Sequence, residues 1–158
     1  MGFFKKKNKA FYAMANGKTV AIEDVPDEVF ATKMMGDGIA VQPNVGQIYS
    51  PCIGKVTMVM DNTKHAVGIE NEDGIEVLIH VGLDTVNLEG EGFEVFVKVG
   101  DEVKPGDLLI SYDKQKFEAD GINDITMLVL VDPKNHTVTK YHANEDVQIK
   151  TSPIIEYK

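Results

Sequence analysis

The sequence predicts an all-β fold, an antiparallel β-sandwich or partly closed barrel with short helical turns. Three observations lead there. Valine, isoleucine, threonine and aromatic residues come in brief runs, and glycine or proline interrupts the chain often. No long stretch shows the 3.6-residue period of an amphipathic helix. Many short strands without intervening helices pack as antiparallel sandwiches or barrels.

The elements follow in order. Residues 1–9 form a basic tail with Phe3 and Phe4, and one domain is expected over 10–158. The tail reads as a solvated, frayed terminus, or more sharply as a weak anchor to anionic lipid. It has no apolar signal-peptide core, and Lys6 stands where a myristoylation site needs serine or threonine. Strands are expected at 18–22, from Thr19, Val20 and Ile22, and at 38–41, from Ile39 and Val41. A helical turn is expected within 24–33, after Pro26. Ile48 and Tyr49 mark a strand at 47–49, and Val56, Thr57 and Val59 mark one at 54–60. Residues 66–70 and 75–80 are two β-prone runs separated by the turn formers of 71–74. Further strands are expected at 94–97, 107–112, 127–131 and 146–150, with a short helix at 114–120.

At 158 residues the chain is long enough for a real core. Its 25 acidic against 16 basic residues give a net charge of −9. That argues against nucleic acid and suits a protein that meets basic surfaces. One cysteine excludes an internal disulfide and fits a reducing compartment. No apolar stretch approaches the roughly 20 residues of a membrane helix.

The chemistry is expected at two histidines that flank the predicted hairpin. His80 ends the apolar run Val77, Leu78, Ile79, where a strand leaves the core. A four-residue loop over 71–74 would pair Glu70 with Ile75 and set His65 directly opposite His80. A two-residue turn at Asp73 and Gly74 would place them diagonally on the same face. A slip of one residue would send them to opposite faces. Two touching imidazoles suppress each other's protonation, which keeps one ring neutral and nucleophilic. Phosphoryl transfer, acid–base chemistry and metal binding all fit such a pair.

The runs Glu76 to Val86 and Thr63 to Gly68 resemble the paired active-site segments of the glucose-type enzyme IIA family of the bacterial phosphoenolpyruvate-dependent sugar phosphotransferase system. The resemblance continues through residues 22–30, 35–39, 90–93 and 99–108, and is strong over 17–113. It implies a phosphocarrier in which His80 accepts phosphate from phospho-HPr and passes it to a cysteine of a sugar-specific EIIB domain. His65 would contact the bound phosphoryl group, Thr63 would hold that second ring, and the Gly82 carbonyl would take the Nδ1 hydrogen of His80. Asp27 and Asp84 would lie at an acidic rim near basic partner side chains, and Phe30, Met34, Met35, Ile39 and Val41 could supply an apolar docking surface. The resemblance also implies cytoplasmic work, membrane contact only through the permease, and regulated transporters or kinases as further partners. No intrinsic cofactor is expected; zinc at His65 and His80 would need a third ligand from a partner.

Three places depart from the family pattern. Residues 13–17 replace an Ala-Pro turn, Ala21 replaces a polar residue, and residues 121–126 differ from the usual apolar strand approach. Cys52 reads as a buried or partly buried strand residue, and His136 and His142 as surface residues that nothing pairs with. A competing class comes from residues 99–114, which also resemble part of a lipoyl or biotinyl carrier with Lys114 as the modified lysine. That reading needs Lys114 at a hairpin tip and a second similar half, which does not follow. A purely regulatory binding protein with a dead site is a third class; the presence of both histidines and Thr63 argues against it.

Overall fold

A computed structural model describes residues 9–158 of the chain. The lipid-anchor reading of Phe3 and Phe4 lies outside the described residues. The chain runs through β1 (Ala10–Tyr12), β2 (Gly17–Ala21), a 3-10 turn (Ile22–Asp24), α1 (Glu28–Ala31), β3 (Gly38–Pro43), β4 (Gln47–Tyr49) and β5 (Gly54–Val59). It continues through β6 (Ala66–Asn71), β7 (Glu76–Val81), a second 3-10 turn (Thr85–Leu88), β8 (Phe93–Val95), β9 (Glu102–Val103) and β10 (Leu108–Tyr112). Then come α2 (Lys114–Ala119), β11 (Thr126–Asp132), β12 (Val138–Tyr141), β13 (Asp146–Val147) and β14 (Pro153–Tyr157).

Eight strands form one sheet in the order β13-β2-β3-β11-β7-β6-β5-β9, and two three-stranded sheets run β1-β14-β12 and β4-β10-β8. The strand pairs within these sheets are antiparallel. The all-β sandwich expected from the sequence is therefore what the chain forms.

Side chains of a strand alternate between its faces, and here the alternation separates two apolar clusters. Ile39, Val41, Val67, Ile69, Val77, Ile79, Val81, Leu128 and Leu130 point inward. They pack against Phe11, Ile48, Phe93, Leu109, Ile110, Ile154 and Ile155 from the two small sheets. Ala40, Ala66, Leu78, Met127 and Val129 have the opposite parity and form a smaller cluster on the outer face, roofed by Ile22, Val25 and Phe30. Ile22 belongs to the first 3-10 turn and Phe30 to α1, so the helical region after β2 is a lid over one part of the large sheet.

Most expected strands lie within a few residues of the observed ones. The expected strand at 146–150 shrinks to β13, and β1, β9, β12 and β14 were not foreseen as separate strands. β9 has only two residues and β12 is largely solvated, so neither offers a clean apolar run.

The register of the β6–β7 hairpin differs from both expected arrangements. Glu70 pairs with Glu76 and Ala66 with His80. The loop holds three residues, Glu72, Asp73 and Gly74, because the Asn71 amide bonds the Ile75 carbonyl at 2.9 Å. The Asn71 side-chain oxygen accepts from the amides of Asp73 and Ile75 at 3.0 and 2.9 Å, and Gly74 takes the left-handed φ of +82°. This is the three-residue hairpin whose last loop position favours glycine. The slip of one residue does not separate the histidines. His65 precedes β6, and Lys64 before it has φ of +59°, so the chain leaves the strand pleat there.

Candidate functional site

His80 sits at the outer face of the large sheet, on the parity of Leu78. Its ring meets His65 with centroids 4.7 Å apart and planes at 82°. Phe30 approaches edge-on from the lid, at 4.9 Å and 60°. Phe30 is held there by α1, whose N-cap Asp27 accepts the Val29 amide at 2.9 Å.

The charge state of His80 follows from its surroundings. Nδ1 lies 3.0 Å from the Gly82 carbonyl. A carbonyl only accepts, so Nδ1 carries the hydrogen and Nε2 of the neutral ring keeps its lone pair. Burial, and then the neighbouring His65, push the ring down to about 4 from 6.5, while the Gly82 carbonyl and Asp27 oppose them. His65 is buried as well, and burial lowers its pKa against the pull of the Thr63 backbone. The pair is therefore neutral near pH 7. Nδ1 of His65 is buried without a hydrogen-bond partner among the described residues, an uncommon condition for a buried polar atom.

The turn after β7 fixes the acceptor for His80. Gly82 has φ of +77°, and a Cβ there would lie 2.5 Å from Cγ2 of Thr85, so only glycine fits. The amides of Gly82 and Leu83 donate to the carbonyls of Ile125 and Asn123, each at 2.9 Å. Thr85 Oγ1 donates to the Val81 carbonyl at 2.5 Å and ties down the start of the second 3-10 turn. Asp84, at the head of that turn, is exposed, and its side chain forms no cap.

The structure brings together His80, His65, Gly82 and the Thr63 backbone, with Asp27 near enough to act on the His80 charge. It divides the expected docking residues. Met34 and Met35 are exposed, at 74% and 37%. Ile39 and Val41 are fully buried and belong to the main core; they occupy the inward parity of β3, so they cannot line an outer surface. Phe30 is buried too, as a wall of the histidine pair. Exposed apolar side chains that the sequence reading omitted are Val29 on α1 and Val86 after Asp84.

Other expectations also change. Cys52 is buried, but it lies in a bend before β5, and burial pushes its thiol up to about 12. His142 is not unpaired: its ring lies between Glu145 at 3.1 Å and Glu156 at 2.5 Å. His136 packs edge-on against Tyr157, with centroids 5.4 Å apart. Lys114 does not occupy a hairpin tip. It opens α2, and its Nζ lies 2.7 Å from Asp124, which removes the geometry that a lipoyl or biotinyl lysine requires. For zinc, the pair offers two imidazoles, and no group of three or more His, Cys, Asp or Glu among the described residues is arranged to hold a metal ion.

Asp124 carries no signal in the sequence, because its partners are scattered along the chain. Its carboxylate accepts from Gln42 Nε2 at 2.6 Å, Tyr112 Oη at 2.6 Å and Lys114 Nζ at 2.7 Å. It lies between Asn123 and Ile125, the residues that hold the Gly82–Leu83 peptide. Among the described residues no helix is long and apolar enough to cross a membrane.

A family model described as the phosphoenolpyruvate-dependent sugar phosphotransferase system, EIIA 1, matches residues 9–136. The PTS system glucose-specific EIIA component of Staphylococcus epidermidis is 46% identical over 142 residues, which are 90% of this chain and 83% of that protein. The protein of the same description from Oceanobacillus iheyensis is 46% identical over 140 residues, covering 85% of this chain and 84% of its own length. Among solved structures, glucose permease IIA from Mycoplasma capricolum superposes with a TM-score of 0.84 at 33% identity, covering 98% of both chains.

Proposed function

The chain belongs to the EIIA 1 family of the phosphoenolpyruvate-dependent sugar phosphotransferase system, and on that premise we propose that His80 carries a phosphoryl group from phospho-HPr to the cysteine of an EIIB domain. The observation that carries this reading is the Nδ1 contact of His80 with Gly82, at 3.0 Å, which leaves Nε2 as the free nucleophile. In the accepting step the Nε2 lone pair forms a bond to phosphorus. The bond from phosphorus to the donor atom breaks, and its electron pair stays with that atom. In the donating step the EIIB thiolate forms the new bond to phosphorus, the bond from phosphorus to Nε2 breaks, and its electron pair returns to the His80 ring.

Positioning and charge neutralisation dominate phosphoryl transfer. Phosphorylation at Nε2 with Nδ1–H retained gives the ring cationic character. The Gly82 carbonyl and Asp27, which both favour a charged His80 ring, then stabilise it. The phosphoryl oxygens bring negative charge beside His65, which draws a proton onto that ring and yields a charged hydrogen bond. Thr63 contributes through its backbone, which favours the protonated form of His65.

Met34 and Met35 provide adaptable apolar contact for more than one partner, and Asp84 and Asp27 supply the acidic rim that steers basic surfaces. In this reading the protein works in the cytoplasm, reaches the membrane only through its permease, and reports sugar flux to transporters or kinases through its phosphorylation state.

Two variants test the assignment. With phosphoenolpyruvate, enzyme I and HPr, His80→Gln takes no ³²P. His65→Gln takes ³²P but donates it poorly to EIIB. Stable label on His80→Gln contradicts the proposal.

A further inference from the structure

The segment between α2 and β11 has no regular structure over residues 122–125, yet it holds the turn that sets the His80 tautomer. No sheet ladder fixes it; the Ile122 amide bonds the Phe117 carbonyl at 2.8 Å, and the Asn123 side-chain oxygen accepts the Ile125 amide at 3.0 Å. Its tie to the distant elements is the Asp124 carboxylate, whose side chain is 9% exposed. Burying a carboxylate is costly unless it is paired and hydrogen-bonded. Here three donors come from three elements: Gln42 of β3, Tyr112 of β10 and Lys114 of α2. Burial pushes the Asp124 pKa up, and hydrogen bonds from Lys114, Tyr112 and Gln42 reverse this, leaving it lowered. Thr126 Oγ1 also bonds the Asp124 carbonyl, at 3.0 Å.

From this geometry we infer that Asp124 is a positioning residue for His80. The pinned carboxylate holds the carbonyls of Asn123 and Ile125 in place. Those carbonyls receive the amides of Leu83 and Gly82. The fixed peptide aims the Gly82 carbonyl at Nδ1 of His80, 3.0 Å away, and so keeps Nε2 free. The inference deepens the phosphoryl-acceptor reading and rests on it. It also assigns a task to residues 121–126, one of the three places that depart from the family pattern.

The test uses the full chain with ¹⁵N-labelled histidine. Two quantities are read: the ring-nitrogen shifts of His80, which report its tautomer, and the rate of ³²P uptake from phosphoenolpyruvate, enzyme I and HPr. In the wild type His80 is a single Nδ1–H tautomer. In Asp124→Ala the Nε2–H form appears beside it, and uptake slows by about tenfold or more, as misplacement of a reacting group does. Asp124→Asn, which keeps an acceptor oxygen, recovers part of both. A wild-type value of either quantity in Asp124→Ala overturns the inference. If Asp124→Ala does not fold, Lys114→Met, which removes one donor, decides by the same two readouts. If the wild type itself takes no phosphate, the functional reading falls, and the tautomer alone decides whether Asp124 positions His80.

Discussion

At His80 two influences act on the ring in opposite directions. Burial and His65 disfavour its charge, and Gly82 and Asp27 favour it. The free ring stays neutral, and on the proposed reading a phosphorylated ring would keep the contacts that suit a cation. A consequence for stability follows from linkage. The unfolded ring takes a proton as pH falls through 6.5, but the folded ring holds out to about 4. Wild type therefore loses stability to this group between those values and is unaffected by it above them. Urea unfolding at pH 7 and pH 5 checks this. Wild type should lose more stability on acidification than His80→Gln, which cannot titrate there. Equal losses would contradict the assigned shift.

The β6–β7 hairpin shows what an element can and cannot announce. The two strands and their turn are legible from β-branched runs around an Asn-to-Gly segment. The loop length is not, because it depends on where the Asn71 side chain bonds. Asn71→Ala removes the acceptor for two backbone amides, one of them in a buried setting, and should cost about 1–3 kcal/mol. Gly74→Ala meets open space and strains only φ, so about 1 kcal/mol is expected. Denaturant unfolding of the two variants should rank them in that order, and the reverse ranking would contradict this account of the turn. Parity explains the other misreadings. Ile39 and Val41 are apolar, but they take the inward parity of β3, and the outer-face position between them is Ala40, too small to attract notice. Asp124 was invisible for a different reason: a network joining residues 42, 112, 114 and 124 has no local pattern.

For the whole molecule, a sheet with two apolar faces separates stability from function. The inner face holds the main core with the small sheets, and the outer face holds a lesser cluster under a short lid, where Phe30 meets the histidine pair. The run of short β-prone segments made the antiparallel sandwich legible, whereas the strand order β13-β2-β3-β11-β7-β6-β5-β9 was not, because it rests on pairings between distant segments that no local period encodes. The net charge of −9 and the acidic rim proposed at Asp27 and Asp84 predict electrostatically steered encounters. Transfer from phospho-HPr should slow as salt rises, because the screening length is about 8 Å at physiological ionic strength. Stopped transfer assays across a salt series check this, and a rate independent of salt would remove the steering role of Asp27 and Asp84.

The central claim is that the phosphoryl group resides on Nε2 of His80. Nuclear magnetic resonance of the ¹⁵N-histidine protein, phosphorylated by phosphoenolpyruvate, enzyme I and HPr, measures this directly. The account predicts one phosphoryl group, coupled to Nε2 of His80, with Nδ1 still protonated toward Gly82. A phosphoryl group on Nδ1, on His65, or on neither histidine would contradict it.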